Sequence, residues 1–284
     1  MTTLLAVPNL SEGRDGAPLA AIADAFGSAG ARLLHASRDA DHHRAVFTLA
    51  GAPGRLAEAV TAGAVVAAER IDLRAHAGEH PRVGAVDIAP IVFLDARDRG
   101  AACAEALVLA DLLGSALGAP VLLYGMLGGG RTRADLRRGG PERLAARIEA
   151  GELVPDAGPR ALHPRTGAVL VAARPPLGAF NLRLGADATR DDARAVAAAI
   201  REGAPDGLPG VRALGLWAGG AQVSTNVEDL DRVRLAEVLA AVAARATVAG
   251  AELVAPVPRA ALDGWPADVA LDAPPPLEAL LADV

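Results

Sequence analysis

Apolar and polar positions run through this chain in two similar cycles. In the first, short apolar runs with period 2 predict strands at about 3–7, 31–38, 44–51 and 85–94. Between them a period near 3.6 predicts helices at about 17–29 and 54–70. The second cycle predicts strands at about 178–185, 211–217, 221–227 and 251–256, with helices at about 190–202 and 232–248. Both cycles read β-α-β-β-α-β, the split order of a ferredoxin-like unit. The expected fold is therefore α/β (α+β), with two ferredoxin-like subdomains at 1–176 and 177–284. The adjacent Pro175 and Pro176 remove two backbone donors and mark the boundary. The first cycle carries an extension: a helix at about 97–118, a strand at about 120–124 and a long excursion to about 167. The Pro-rich tail after 258 reads as loosely ordered.

Composition narrows the chemistry. The chain has 284 residues and a net charge of −6, which argues against nonspecific nucleic-acid binding. All 28 basic residues are arginine. Without lysine, Schiff-base chemistry, a pyridoxal-phosphate anchor and a Walker phosphate loop are excluded. The glycine-rich segment 125–133 lacks the GK[ST] ending and reads as a flexible loop, a candidate mobile cover. The lone Cys103 sits in an apolar helical run and reads as a core residue, which fits a reducing, cytoplasmic setting. Apolar runs are interrupted by Gly, Pro or charge, and no signal peptide or membrane span is expected.

Chemistry concentrates in residues 71–90, IDLRAHAGEHPRVGAVDIAP. The string His76-x-x-Glu79-His80 matches a zinc-protease pattern, but that pattern works only on a helix. Gly78 weakens a helix and Pro81 pushes His80 out of the α region. No metal is therefore expected. An imidazole near its natural pKa can accept and donate protons at neutral pH, and His80 is the stronger candidate for that work. His76 reads equally well as a loop hydrogen-bonder.

This block resembles the active-site segment of the formiminotransferase family. VPNLSEGRD (7–15), DADHHRAVFTLAG (39–51), LLYG (122–125), PDAGPRALHPRTGA (155–168), AFNLRL (179–184) and AQVSTNVEDL (221–230) resemble the family in the same order. The resemblance implies transfer of a formimino group from N-formimino-L-glutamate to N5 of tetrahydrofolate, which is a co-substrate, as in histidine catabolism and one-carbon metabolism. It implies His80 as the acid/base. It also implies a folate-contacting loop made of Gly158, Pro159, Arg160, Ala161, Leu162, His163, Pro164, Arg165, Thr166 and Gly167. Some family members carry Asn where His43 stands. No room remains for a cyclodeaminase domain, so a separate cyclodeaminase is expected as a partner.

That chemistry suggests further roles. Asp39 suits a cationic amidine, although aspartate also favours turns. Both substrates carry carboxylates, which arginine binds bidentately; Arg44, Arg74 and Arg82 are the nearest candidates, with Arg82 able to pair with Glu79 or Asp87 instead. Asn9, Ser11 and Glu12 follow the first strand, where ligand contacts are common, and Asn226 either binds ligand or caps a turn. The acid/base chemistry is expected in the first half, with the second half closing a cleft and supporting a homodimer. A folate- or glutamate-binding module without catalysis, and an enzyme using N-formyl-glutamate, remain alternatives.

Overall fold

The computed structural model describes residues 2–282 and divides into two compact units, Met1–Arg174 and Pro175–Val284. The first begins with a strand that Pro8 interrupts: β1 (Leu4–Ala6) and β2 (Asn9–Leu10) lie on either side of it. Proline has no N–H for the ladder, but its carbonyl still accepts from the Phe47 amide at 3.0 Å. Then follow α1 (Gly16–Ser28), β3 (Arg32–Asp39), β4 (Arg44–Gly51), α2 (Leu56–Arg70) and β5 (Val86–Phe93). In space β5, β1/β2, β4 and β3 lie side by side, each pair antiparallel. This is the strand order of a ferredoxin-like unit.

The extension widens the same sheet. After α3 (Arg99–Leu117), β6 (Val121–Leu123) and β7 (Val169–Arg174) join in parallel, β7 against β5 and β6 against β7. Alternation then sorts the side chains. Leu4, Leu10, Phe47, Leu49 and Ile91 face a core built with Ile22, Phe26, Val60, Leu109 and Leu113 of the helices. A smaller core gathers Val83, Ile88, Leu122 and Leu170 with Leu136, Leu144 and Ile148. The last three belong to α4 (Arg133–Arg137) and α5 (Gly140–Glu149).

Helices α4 and α5 occupy the excursion that the apolar pattern left without elements. α4 is a single turn or so, started by a capping box in which Thr132 and Asp135 exchange hydrogen bonds. Arg138 and Gly139 separate it from α5, which itself opens on Gly140 and Pro141, so no continuous helical period exists for a sequence to display. The glycine-rich segment is not an open loop either. Gly125–Gly128 is a 3₁₀ turn, closed by Gly125 N–H to Arg131 at 2.8 Å and Gly130 N–H to Gly125 at 2.9 Å. Arg131 then pairs with Asp156 at 2.6 Å.

Among the described residues, one segment, Ala96–Leu117, is long and apolar enough to cross a membrane. Here its apolar stripe packs on the sheet, with Ala102, Leu109 and Leu113 fully buried. The buried Glu105 of α3 accepts the Gly54 and Ala57 amides at 2.6 and 2.7 Å. It thereby serves the open N-terminus of α2, where a carboxylate is favoured.

The second unit repeats the theme. β8 (Gly178–Leu184), α6 (Arg190–Ile200), β9 (Val211–Trp217), β10 (Ala221–Val227), α7 (Leu235–Ala243) and β11 (Val248–Leu253) form one antiparallel sheet ordered β11-β8-β10-β9. α7 is shorter than its alanine content suggests, and β11 starts earlier, at the β-branched Val248. The tail is ordered rather than loose. β12 (Leu271–Asp272) adds to β11 in parallel, and α8 (Leu277–Leu280) buries Leu277.

Candidate functional site

Three loops of the first unit meet at the ends of β2, β4 and β5. The first, residues 11–15, is shaped by Glu12, whose Oε1 accepts the Arg14 and Asp15 amides at 2.7 and 3.0 Å. The second is the tight β3–β4 turn, where Asp39 Oδ1 accepts the His42 amide at 2.7 Å. His43 follows with φ +51°, the one non-glycine residue in the left-handed region among the described residues. The third is the irregular segment from His76 to Arg82, which lies beyond a 3₁₀ turn and is not the helix a zinc-protease motif requires. Gly13 and Gly78 let these loops touch. A Cβ on Gly13 would stand 2.0 Å from the Asp39 carbonyl oxygen, and one on Gly78 2.5 Å from that of His42.

Histidines cross-link the loops. His43 Nε2 lies 3.1 Å from Glu12 Oε1, and its Nδ1 lies 3.1 Å from the Ala77 carbonyl. The His43 and His76 rings stack at 4.0 Å, and His76 Nε2 donates to the His43 carbonyl at 3.0 Å. His76 is pushed down to about 4, first by burial and then by the Arg82 cation, so it is neutral at physiological pH. For Glu12, burial raises the pKa, but the Asp15 and Arg14 amides and His43 outweigh it and the net shift is downward.

His80 sits at the centre, half-buried. Its Nδ1 is 2.8 Å from the Pro81 carbonyl oxygen. That oxygen can only accept, so Nδ1 carries the proton and the neutral ring keeps its lone pair on Nε2. Arg44 Nη1 approaches the same Nδ1 at 3.3 Å. With Nδ1 protonated, that approach places a cation beside the ring rather than a second hydrogen bond. The His42 ring stands edge-on at 6.1 Å. Burial, then Arg44 and Arg137, hold the His80 pKa well below its ordinary value, while Asp87 and the Pro81 carbonyl pull the other way.

Behind His80 lies a buried ion cluster. Asp87, on β5, is fully buried. Its Oδ2 pairs with Arg44 at 2.8 Å and with Arg137 of α4, and its Oδ1 accepts the Val83 amide at 2.8 Å. Burial raises the Asp87 pKa, but Arg137 and Arg44 win and hold it at about 2. Arg44 Nε also donates to Asn9 Oδ1 at 3.1 Å, while Asn9 Nδ2 donates to the Val7 carbonyl.

The remaining candidates fall in different settings. Arg82 is wrapped by its own loop, donating to the carbonyls of His76, Gly78 and His80. Glu79 donates its amide to the Asp41 carbonyl at 3.1 Å. Arg74 is exposed and clasps Asp72. Ser11 donates its hydroxyl to Gly84 at 2.7 Å. Asn226 lies within β10, paired with Ala179 and Arg212. It shares with Gln222 and Ser224 the sheet face opposite the apolar Val223 and Val227, which join the second core.

The Gly158–Gly167 loop is anchored beside the His80 segment. Ala85 donates to the Thr166 carbonyl at 2.8 Å, and Leu73 to that of Arg165 at 2.9 Å. His163 accepts the Thr166 amide on Nδ1 at 3.0 Å, which shapes the turn from inside. Arg165 reaches the Glu69 carbonyl at 2.6 Å. Gly158, Pro159, Arg160, Ala161 and Pro164 are exposed, whereas Leu162 is half-buried and Thr166 buried.

A family model for the formiminotransferase domain, N-terminal subdomain, matches residues 3–174, the whole stretch that carries these loops. The chain belongs to the formiminotransferase family. It is 36% identical over 275 residues to a formimidoyltransferase-cyclodeaminase of Gallus gallus, covering 90% of this chain and 50% of that protein. It is 34% identical over 236 residues to a glutamate formimidoyltransferase of Streptococcus pyogenes serotype M1, covering 81% and 78%. A glutamate formimidoyltransferase of Thermoplasma acidophilum is 34% identical over 207 residues, covering 71% and 68%. The chain thus spans about half the length of the cyclodeaminase-containing relatives it matches.

Two members of the site, Asp87 and Arg137, are not among the functional residues that the sequence suggested. Asp87 carries a signal: a lone carboxylate inside an apolar strand must find a cation. Arg137 carries none, because it lies fifty positions away on a helix too short to show a period.

Proposed function

We propose that the protein is a glutamate formimidoyltransferase that moves the formimino group of N-formimino-L-glutamate to N5 of tetrahydrofolate, with His80 as the general acid/base. The observation that carries this reading is the His80 imidazole, neutral, tethered through Nδ1–H to Pro81 and bearing its lone pair on Nε2. It stands in a chain of the formiminotransferase family. The N5 amine attacks the formimino carbon, and a C–N bond forms. Nε2 takes the proton that N5 loses. The tetrahedral intermediate then breaks its bond to the glutamate nitrogen, which receives the proton back from Nε2. The products are 5-formiminotetrahydrofolate and glutamate, and His80 returns to its starting state.

Asp39 supports the same reading as a partner for the amidine, from the turn that also presents His42 beside His80. The Gly158–Gly167 loop is the proposed folate contact, held next to the His80 segment through Thr166 and Arg165. Arg44 is committed to Asp87 and Arg82 to its own loop, which favours structural duties for both over binding substrate carboxylates.

The test is a donor assay with tetrahydrofolate, comparing N-formimino- and N-formyl-glutamate and following substitution at N5. Turnover with the formimino donor is expected. Preference for the formyl donor overturns the substrate assignment. Folate binding without transfer from either donor overturns the enzyme reading.

A further inference from the structure

We propose that Arg137 is a positioning residue for His80: with Arg44 it closes a buried ion cluster on Asp87, and this cluster keeps the His80 imidazole neutral with its proton on Nδ1 and its lone pair on Nε2. The proposal rests on the reading of His80 as the acid/base.

The charges around His80 come from four places. Arg44 arrives from β4, Asp87 from β5, Arg137 from α4, and Arg82 from the loop itself, donating to the His80 carbonyl at 3.4 Å. The His42 ring stands edge-on to His80 from the β3–β4 turn, and Glu79 precedes His80 in the chain. Asp87 is the carboxylate of the ion cluster and it is shared by two arginines. Burial and the neighbouring arginines lower Arg137 only to about 10, so it stays cationic at neutral pH. Asp87, held at about 2, stays anionic. The cluster therefore presents excess positive charge to the imidazole, which disfavours a second ring proton.

Geometry adds the tautomer. The Pro81 carbonyl claims the Nδ1 proton at 2.8 Å. Asp87 holds that arrangement in place through its bond to the Val83 amide, two residues beyond Pro81. An arginine needed only to neutralise Asp87 would be redundant, because Arg44 already pairs with that carboxylate at 2.8 Å. The second cation acts on the ring beyond.

The experiment is nitrogen-15 NMR of the histidine rings in the full chain, with His80 assigned by its loss in His80→Asn, alongside the pH profile of kcat/KM. In the wild-type protein at pH 7, His80 is expected as the Nδ1–H tautomer. In Arg137→Gln its titration midpoint and the acid limb of kcat/KM should both move to higher pH, by about half a unit to one unit. Arg137→Lys, which keeps the charge, should restore most of the wild-type profile. An Nε2–H tautomer in the wild type overturns the proposal whether or not the variants fold. So does a folded Arg137→Gln protein whose His80 midpoint is unchanged. A protein with the expected titration that transfers no formimino group overturns the functional reading and leaves the hold of Arg137 on the imidazole standing.

Discussion

The two units are built on one plan and differ in what their loops carry. In both, a β-α-β-β-α-β segment forms an antiparallel sheet with the fourth strand beside the first and the third between first and second. All six histidines belong to the first unit, and five of them lie on β3, on the turn that follows it or in the 76–80 segment. The first unit also buries an ion cluster of one aspartate and two arginines. The second places a polar row, Gln222, Ser224 and Asn226, along a strand, with Asn181 donating to Glu252 at 2.8 Å nearby. A shared fold therefore says nothing about where acid/base chemistry resides. The connections after β2, β3 and α2, together with the extension that supplies Arg137, set the units apart.

The largest effect expected from breaking this contrast is loss of the buried cluster. Asp87→Ala leaves Arg44 and Arg137 facing each other without a counter-charge, and breaking a buried pair typically costs about 3–5 kcal/mol. Urea unfolding should show a drop of that order. A drop under about 1 kcal/mol would mean that water or another group replaces the carboxylate. Next comes His80→Asn. Turnover should fall by about 10²–10⁴ while the thermal midpoint stays close to wild type, and near-normal turnover would remove the acid/base role from the first unit.

Acid should act on the first unit before the second. The folded-state pKa of His76 is lowered to about 4, below its ordinary value of 6.5. The unfolded chain therefore binds the proton first, and stability falls as pH drops from about 6.5 towards 4. His80, shifted in the same direction, adds to the trend. The thermal midpoint should decline across that window, and His76→Phe, which keeps a flat ring for stacking, should flatten part of the decline. An unchanged slope in the variant would place the sensitivity elsewhere. The smallest effect is expected in the second unit. Thr189→Ala removes the capping box of α6 and should cost about 1 kcal/mol, with kcat unaltered. A fall in kcat would mean that the second unit shares in the chemistry more directly than its residues suggest.

Much of the secondary structure was legible in the residues because period 2 and period 3.6 are read directly from apolar spacing. β4 and β9 have the limits expected, Arg44–Gly51 and Val211–Trp217. The placement of His80 in a loop was legible for a local reason too: Gly78 and Pro81 cannot continue a helix. What the sequence by itself determined, then, was the element order, the two repeats and the loop setting of His80, all consequences of neighbours a few positions apart. Only the tertiary structure decided that α4 and α5 form in the excursion, that Arg82 is enclosed by its own loop, and that Arg137 meets Asp87 across fifty positions. The physical reason is that a buried charge takes its partner from whichever part of the chain packs against it, and that choice leaves no periodic trace in the sequence.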